Sequence, residues 1–313
     1  MQNPQPRAQQ PTQVMGILNV TDDSFSDGGK YPDTPTAVAH AVTMVGEGAD
    51  IIDIGGESTR PGATRVEAEQ EMARVVPVIH ELNSRGIVTS VDTMRASTAA
   101  AGIDAGASII NDVSGGLADN RMLAVAADTG AKLCLMHWNA KQFQGAEGYR
   151  DHGQNIVAHV KEWLLRRVDA ALSAGVEHGK IILDPGIGFA KSPQDNWALL
   201  HATGEFVELG LPVLIGVSRK RFLTALRPNP DGTPGIPESA DDATAAVSAL
   251  SAAAGAWGVR VHSVAPSRAA VDVAYSWAMG TGPDVPESWR ARRRGNATVA
   301  GHTGGDSPTD TAS

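Results

Sequence analysis

Between about residue 13 and residue 280, short apolar runs alternate with longer amphipathic stretches. The runs are Val14–Val20, Asp50–Gly55, Ile87–Val91, Ser108–Val113, Lys132–Met136, Lys180–Leu183, Pro212–Val217 and Gly258–Val264. Each is too short for an independent helix, and most carry β-branched residues, so the pattern predicts eight strands. Several show little alternation, as expected for parallel strands covered on both faces. The intervals read as helices. Val38, Ala41, Val42 and Val45 stand at i, i+3, i+4 and i+7 behind Thr34-Pro35, and Met72, Val75, Val76 and Ile79 repeat that spacing. Ile156, Val160, Trp163 and Leu164 form another apolar face. Ser192-Pro193-Gln194-Asp195 combines a capping residue, a proline at the first helical position and an acid three residues on. Ala240–Gly255 is Ala-rich, a good helix former's composition. Eight strands, each followed by a helix, predict an α/β fold of the (β/α)8 TIM-barrel type. A doubly wound open sheet is the alternative, but it usually shows a Gly-rich nucleotide turn after its first strand.

The ends of the chain differ from the middle. Residues 1–12 are rich in Gln and Pro, and 282–313 are poor in large apolar residues, so both read as flexible tails around a single barrel domain at 13–281. The cluster Arg290, Arg292, Arg293 and Arg294 reads as a solvated charge run on such a tail. With 26 basic and 35 acidic residues the net charge is −9, which argues against nucleic-acid binding through phosphate neutralisation. The single cysteine, Cys134, leaves no internal disulfide and no cysteine-rich zinc site, and reads as a buried thiol in an apolar strand. No apolar run approaches the roughly 20 residues of a membrane-spanning helix. The first residues lack an apolar signal core. A cytoplasmic protein with no membrane partner is the expectation.

In a barrel of this kind, chemistry collects at the C-terminal ends of the strands. Every predicted strand exit here carries a hydrogen-bonding or ionisable residue. They include Asn19, Glu57, Asp92, Asn111, His137, Asp184, Lys220, Arg260 and His262. One such residue is ordinary, but eight strand exits aimed at one rim point to an enzyme. No Gly-x-Ser-x-Gly elbow, His-Glu-x-x-His pair or Gly-x4-Gly-Lys-Ser/Thr loop occurs. Carboxylates with amides suit a flat heterocycle with donor and acceptor edges. Arg, His and Asn, with or without a magnesium ion, suit a phosphate or diphosphate. The mixture points to group transfer from a diphosphate ester of a heterocycle.

The segment Met15-Gly16-Ile17-Leu18-Asn19-Val20-Thr21-Asp22-Asp23-Ser24-Phe25-Ser26-Asp27-Gly28-Gly29 closely resembles the opening signature of the dihydropteroate synthase family, and Asp53–Gly62 resembles its second signature. Ser90–Thr93, Ile110–Val113, Leu183–Phe189, Gly216–Lys220 and Arg260–His262 match its remaining blocks in order, and the resemblance covers about residues 13–280. It implies a homodimeric barrel that joins p-aminobenzoate to 6-hydroxymethyl-7,8-dihydropterin diphosphate with Mg2+. It further implies that Asp92, Asn111, Asp184 and Lys220 grip the pterin, and that Asn19, Arg260 and His262 hold the diphosphate, with Asn19 and Asp27 at the metal. Thr59 would contact the diphosphate-bearing substrate. Phe25, Pro61 and Ser218 would border the p-aminobenzoate pocket, and Arg60 and Phe189 would complete the substrate-binding set. Asp92, Lys220 and Asp27 would be the catalytic groups. Ser263 departs from the family, which usually has Asp after the Arg-Val-His triplet.

Each position also has a plainer reading. Asp184 before Pro185 is a common turn-initiating pair, Asn19 and Asn111 suit turn closure, and Lys220 suits a helix start. His137 reads best as a packed strand-end imidazole, and Met136 is as readily core as pterin contact. The alternative to synthase activity is a pterin-binding paralogue without it. Erosion of Thr59-Arg60-Pro61 or Ser218-Arg219-Lys220 would mark such a protein, and both segments are intact.

Overall fold

The computed structural model describes residues 11–21, 34–57, 66–138 and 155–285. Phe25, Asp27, Thr59, Arg60, Pro61 and the Arg290–Arg294 cluster lie outside the described residues. The chain divides into one compact unit running to Tyr275 and a second from Ser276 onward. Among the described residues eight strands appear where the apolar runs place them. They are β1 Gln13–Asn19, β2 Ile51–Gly55, β3 Thr89–Asp92, β4 Ile109–Asp112, β5 Lys132–Met136, β6 Ile181–Asp184, β7 Leu214–Ile215 and β8 Gly258–Val261. Helices α1 Thr34–Gly46, α2 Ala68–Ser84, α3 Ala96–Asp104, α4 Met122–Thr129 and α5 Ile156–Ser173 follow the first five strands. Helices α6 Pro193–His201 and α7 Thr203–Val207 follow β6, α8 Arg221–Thr224 and α9 Asp241–Ala253 follow β7, and α10 Val264–Met279 follows β8.

All neighbouring strands pair in parallel, in the order β6-β5-β4-β3-β2-β1-β8-β7. The two ends of that sheet meet through one bridge, Leu183 with Val213, and through the Leu183 N–H, which donates to Pro212 O at 2.8 Å. The sheet is thereby curled into a nearly closed (β/α)8 barrel. Ordered structure begins before β1: Thr12, placed by composition in the N-terminal tail, is buried, and its Oγ1 donates to Ala256 O at 2.9 Å.

The period of two along each strand separates two cores. Val14, Leu18, Ile52, Ile54, Val91, Ile110, Leu133, Leu135, Leu183, Ile215 and Val259 pack with the surrounding helices. The alternate positions Met15, Ile51, Ile109, Cys134, Ile182 and Leu214 form a separate cluster with Trp257, the floor of the barrel interior. Two residues further along these same faces stand Asp53, Asn111, Met136, Asp184 and Gly216. Polar chemistry therefore begins one step above an apolar plug.

Local signals account for the helices with one systematic difference. The Ser192 capping box forms as its sequence requires: Asp195 N–H donates to Ser192 Oγ at 3.1 Å, and Asp195 Oδ2 accepts from Ser192 N–H at 3.0 Å. The buried face of α1 is Ala37, Val38, Ala41 and Met44, whereas Val42 and Val45 are exposed, correcting the expected stripe. Small alanines let the helix approach β1 closely, where Met44 Sδ lies 3.0 Å from the position a Cβ on Gly16 would take. In α2, Met72 and Val76 are only half-buried while Glu71 and Arg74 are buried. Glu71 Oε2 accepts from Arg95 Nη1 at 2.7 Å and from Thr98 Oγ1 at 3.0 Å, and Arg74 Nη1 donates to Gly56 O at 2.8 Å. In α5, Trp163 is likewise half-buried, and Val168 and Ala171 extend the Ile156–Val160–Leu164 face.

Truncating Met44 to alanine should cost about 2–5 kcal/mol of stability, because it empties a closed site. Val42→Ala should change it by no more than about 0.5 kcal/mol. Urea unfolding of both variants checks the assignment of the α1 face.

Candidate active site at the mouth of the barrel

One guanidinium organises the upper interior. Arg260 rises from β8, where Nε donates to Asp53 Oδ2 at 2.6 Å and Nη2 donates to Asp92 Oδ2 at 2.7 Å. Asn111 Nδ2 donates to the same Asp53 oxygen at 2.9 Å. Strand register explains the convergence, since Asp53, Asp92 and Asn111 sit on the inward positions of β2, β3 and β4, with Gly55 beside Asp92 and Asp92 beside Asn111. Two carboxylates against one cation leave an excess negative charge in a buried setting. Burial pushes the Asp92 carboxyl up to about 7. Arg260 opposes that shift, and Asp53, Glu71 and Asp112 reinforce it. Burial alone would lower the Arg260 pKa, but the surrounding carboxylates raise it. Such a site favours a ligand edge rich in N–H donors.

The opposite wall comes from β6, β7 and the loop between β6 and α6. Asp184 Oδ1 accepts from Gly186 N–H at 2.7 Å. Burial raises the Asp184 carboxyl, while Lys220 and the Gly186 N–H pull the other way. Burial lowers the Lys220 ammonium to about 8, against the pull of Asp184. Lys220 Nζ donates to Ile187 O and stands 4.7 Å from the Phe189 ring centroid. Phe189 meets Trp138 edge to face at 5.3 Å and packs against the apolar cluster of Met94, Val113, Met136, Trp138 and Ala190. Gly216 leaves a gap between Asp184 and Arg260: a Cβ there would lie 3.9 Å from Asp184 Oδ2 and 3.8 Å from Arg260 Cβ. The mouth thus sets carboxylates and an amide on one side and an apolar wall on the other, a lining whose chemistry suits a flat heterocycle.

Ser218, Arg219 and Lys220 leave β7 together. Ser218 Oγ lies 3.0 Å from His262 Nδ1 and accepts from His262 N–H at 3.1 Å. Arg219 adopts φ 60°, a left-handed conformation that costs a non-glycine residue about 1–2 kcal/mol. Its bidentate pairing with Asp241, at 3.0 and 2.9 Å, offsets that strain. Asn19 stands half-buried at the end of β1.

Asp92, Asn111, Asp184, Lys220, Arg260, Ser218, His262 and Phe189 therefore all sit at the exits of β3, β4, β6, β7 and β8. His137 is fully buried and packs edge-on against Trp163 at 4.9 Å and His159 at 5.5 Å, as its plainer reading requires. Cys134 is buried in the floor, and burial raises its thiol pKa well above the usual range. Sequence reasoning left three residues out of the site. Asp53 enters the sequence only as a signature position, although a carboxylate inside Ile51-Ile52-Asp53-Ile54-Gly55 is itself a signal when read by strand parity. Met136 and Trp138 supply apolar wall, for which the chain carries no distinguishing mark.

The model of the family described as pterin binding enzyme matches residues 15–262. A dihydropteroate synthase of Mycobacterium leprae is 50% identical over 278 residues, covering 88% of this chain and 96% of the relative. The dihydropteroate synthase of Xanthomonas albilineans solved with 4-aminobenzoic acid superposes with TM-score 0.76 at 41% identity, covering 87% of this chain and 94% of that one. The Yersinia pestis dihydropteroate synthase solved in a sulfonamide drug complex gives TM-score 0.77 at 36% identity, over 87% of this chain and 95% of that one. The chain belongs to the dihydropteroate synthase family. Its fold agrees with that membership.

The raised Asp92 pKa has a measurable consequence for this synthase-family barrel. Between the ordinary value of 3.8 and about 7, folded Asp92 holds a proton that the unfolded chain releases, so stability falls as pH rises through that window. Asp92→Asn removes this loss and leaves Arg260 neutralised by Asp53. The melting temperature of the variant, relative to the unmodified protein, should therefore rise from pH 4 to pH 8. A flat difference would show that Asp92 is ionised without penalty.

Proposed function

We propose that the barrel mouth condenses p-aminobenzoate with 6-hydroxymethyl-7,8-dihydropterin diphosphate, giving 7,8-dihydropteroate and diphosphate. The protein is then a transferase of the pterin-methyl group in folate biosynthesis. The observation that carries this reading is the buried Asp53–Arg260–Asp92 group with Asn111 and Asp184 around it. It is an acceptor-rich socket for a pterin's amino-amide edge, closed on one side by the Phe189 wall. Asp184, Asp92 and Asn111 grip that edge, and Lys220 lies along the ring between Asp184 and Phe189. Arg260 and His262 face the diphosphate, with Thr59 and Arg60 contributing from the second signature. Ser218, Phe25 and Pro61 border p-aminobenzoate. An arylamine is a weak nucleophile, and among the described residues none in the mouth is suited to form a covalent adduct. The exocyclic C–O bond therefore breaks first, its electron pair leaving with the diphosphate. The electron-rich pterin carries the positive charge, which Asp92 offsets. The amine then attacks the methylene, forms the C–N bond and loses its proton to solvent.

Among the described residues no three His, Cys, Asp or Glu gather as a metal site. Asn19 offers one amide oxygen, a donor set that fits a Mg2+ arriving on the diphosphate and keeping most of its waters, with Asp27 as a further oxygen ligand. When bound, the ion would neutralise charge on the departing diphosphate. We further propose a cytoplasmic homodimer. Leu250 on α9 and Val273 on α10 are exposed apolar residues, and Trp277, one turn beyond Val273, is 86% exposed. Among the described residues no helix is long and apolar enough to cross a membrane.

Turnover of the two substrates with Mg2+ to dihydropteroate tests the reading directly, and failure would favour a pterin-binding paralogue. Excess chelator should abolish turnover, and added Mg2+ should restore it. Asp184→Asn sets a donor against a ring donor, so calorimetry should show pterin diphosphate binding at least about tenfold weaker, or ~1.4 kcal/mol. Unchanged affinity would remove Asp184 from the pterin site. A sulfonamide should compete with p-aminobenzoate, and p-aminobenzoate itself should bind well only with pterin and diphosphate already present.

A further inference from the structure

The wall that faces the pterin is irregular backbone. From Pro185 to Ser192 the chain passes through φ 67° at Gly186, 80° at Gly188 and 51° at Ala190. A Cβ at Gly186 would fall 1.9 Å from His137 O, so this loop and the exit of β5 press directly on each other. Beneath the loop lies a second ammonium that the reaction does not use. Lys191 is 8% exposed. Its Nζ donates to Gly186 O at 2.7 Å, to Phe189 O at 3.2 Å and to His137 O at 3.3 Å, and lies 2.9 Å from His137 Nδ1. None of the four partners is a carboxylate: three are backbone carbonyls and one is an imidazole nitrogen. A buried cation held without a carboxylate partner is unfavourable, and burial together with Lys220 lowers this ammonium to about 7. The compensation is geometric. Three protons on one nitrogen reach, at once, the strand exit that carries Trp138 and two carbonyls of the loop that carries Phe189. Two further ties hold the same loop: Gly188 N–H donates to Asn196 Oδ1 at 2.7 Å, and Ile187 O accepts from Lys220.

We propose that Lys191 is a positioning residue for the pterin pocket. By joining His137 to the Gly186 and Phe189 carbonyls, it sets where the Phe189 ring and the Ile187 carbonyl stand, and through Ile187 where Lys220 points. This rests on the reading above that Asp184, Lys220 and Phe189 hold the pterin. Lys191 touches no substrate itself.

Lys191→Met keeps the length of the side chain and removes its donors. In the full chain, the KM for pterin diphosphate should rise at least about tenfold, while the KM for p-aminobenzoate at saturating pterin diphosphate stays within about twofold. Leu199→Ala on α6 is the control: it loosens the core behind the loop and should lower the melting temperature while leaving both KM values in place. Should Lys191→Met fail to fold, Asn196→Ala cuts the second tie of the same loop and should give the same split in KM. Pterin diphosphate KM unchanged in the variant that folds, or moved as far by Leu199→Ala, overturns the proposal. If the unmodified protein makes no dihydropteroate, the functional reading fails instead, and that outcome is read before any variant is compared.

Discussion

Arg260 is the interaction on which the barrel's interior depends. It brings a permanent positive charge to a place where Asp53 has no exposure and Asp92 almost none. Without it, two carboxylates would face each other in a low dielectric, where unpaired ions are costly enough to be neutralised by protonation. With it, the pair still carries one negative charge too many, which burial expresses as a raised Asp92 pKa. Stability and binding thus pull in opposite directions at one point. The fold holds a charge arrangement that its own residues leave uncompensated.

That arrangement is possible because the interior is layered. The floor of Met15, Ile51, Ile109, Cys134, Ile182 and Leu214 blocks water from below, and the strand period of two sets the polar residues directly above it. Side chains on strands are held by the ladder on both sides. Those on the loops after β6 and β7 are not, and the structure holds them with specific contacts: Lys191 and Asn196 under the β6 loop, and the Arg219–Asp241 pair beyond β7. The rigid half of the site carries the carboxylates and the amide, and the pinned half carries the Phe189 wall.

Much of this was legible in the chain. Parallel strands buried on both sides leave apolar runs that stand out against helical spacing, so all eight strands appeared. The polar residue closing most runs marked the rim, since in a barrel every strand ends at the same mouth. The long signature segments at Asn19 and Thr59 went further and carried the chemistry by resemblance. Helix faces were less secure. Val42 and Val45 looked like core, but α1 packs through Ala37, Ala41 and Met44, because closeness of approach and not hydrophobicity decides which face fits against Gly16.

By itself the sequence determined the number of strands, their parallel order of use and the kinds of group at their exits, because these follow from local periodicity and from residue types at element ends. Only the tertiary structure decided partnership. Asp53 and Arg260 are separated by 207 positions, and nothing local in either segment says that one carboxylate oxygen will accept from both Arg260 and Asn111. Likewise nothing in the sequence around Lys191 says that its ammonium will reach the carbonyls of Gly186, Phe189 and His137. Charge, burial and the identity of a hydrogen-bond partner are properties of the closed barrel, and curling the sheet until β6 meets β7 is what creates them.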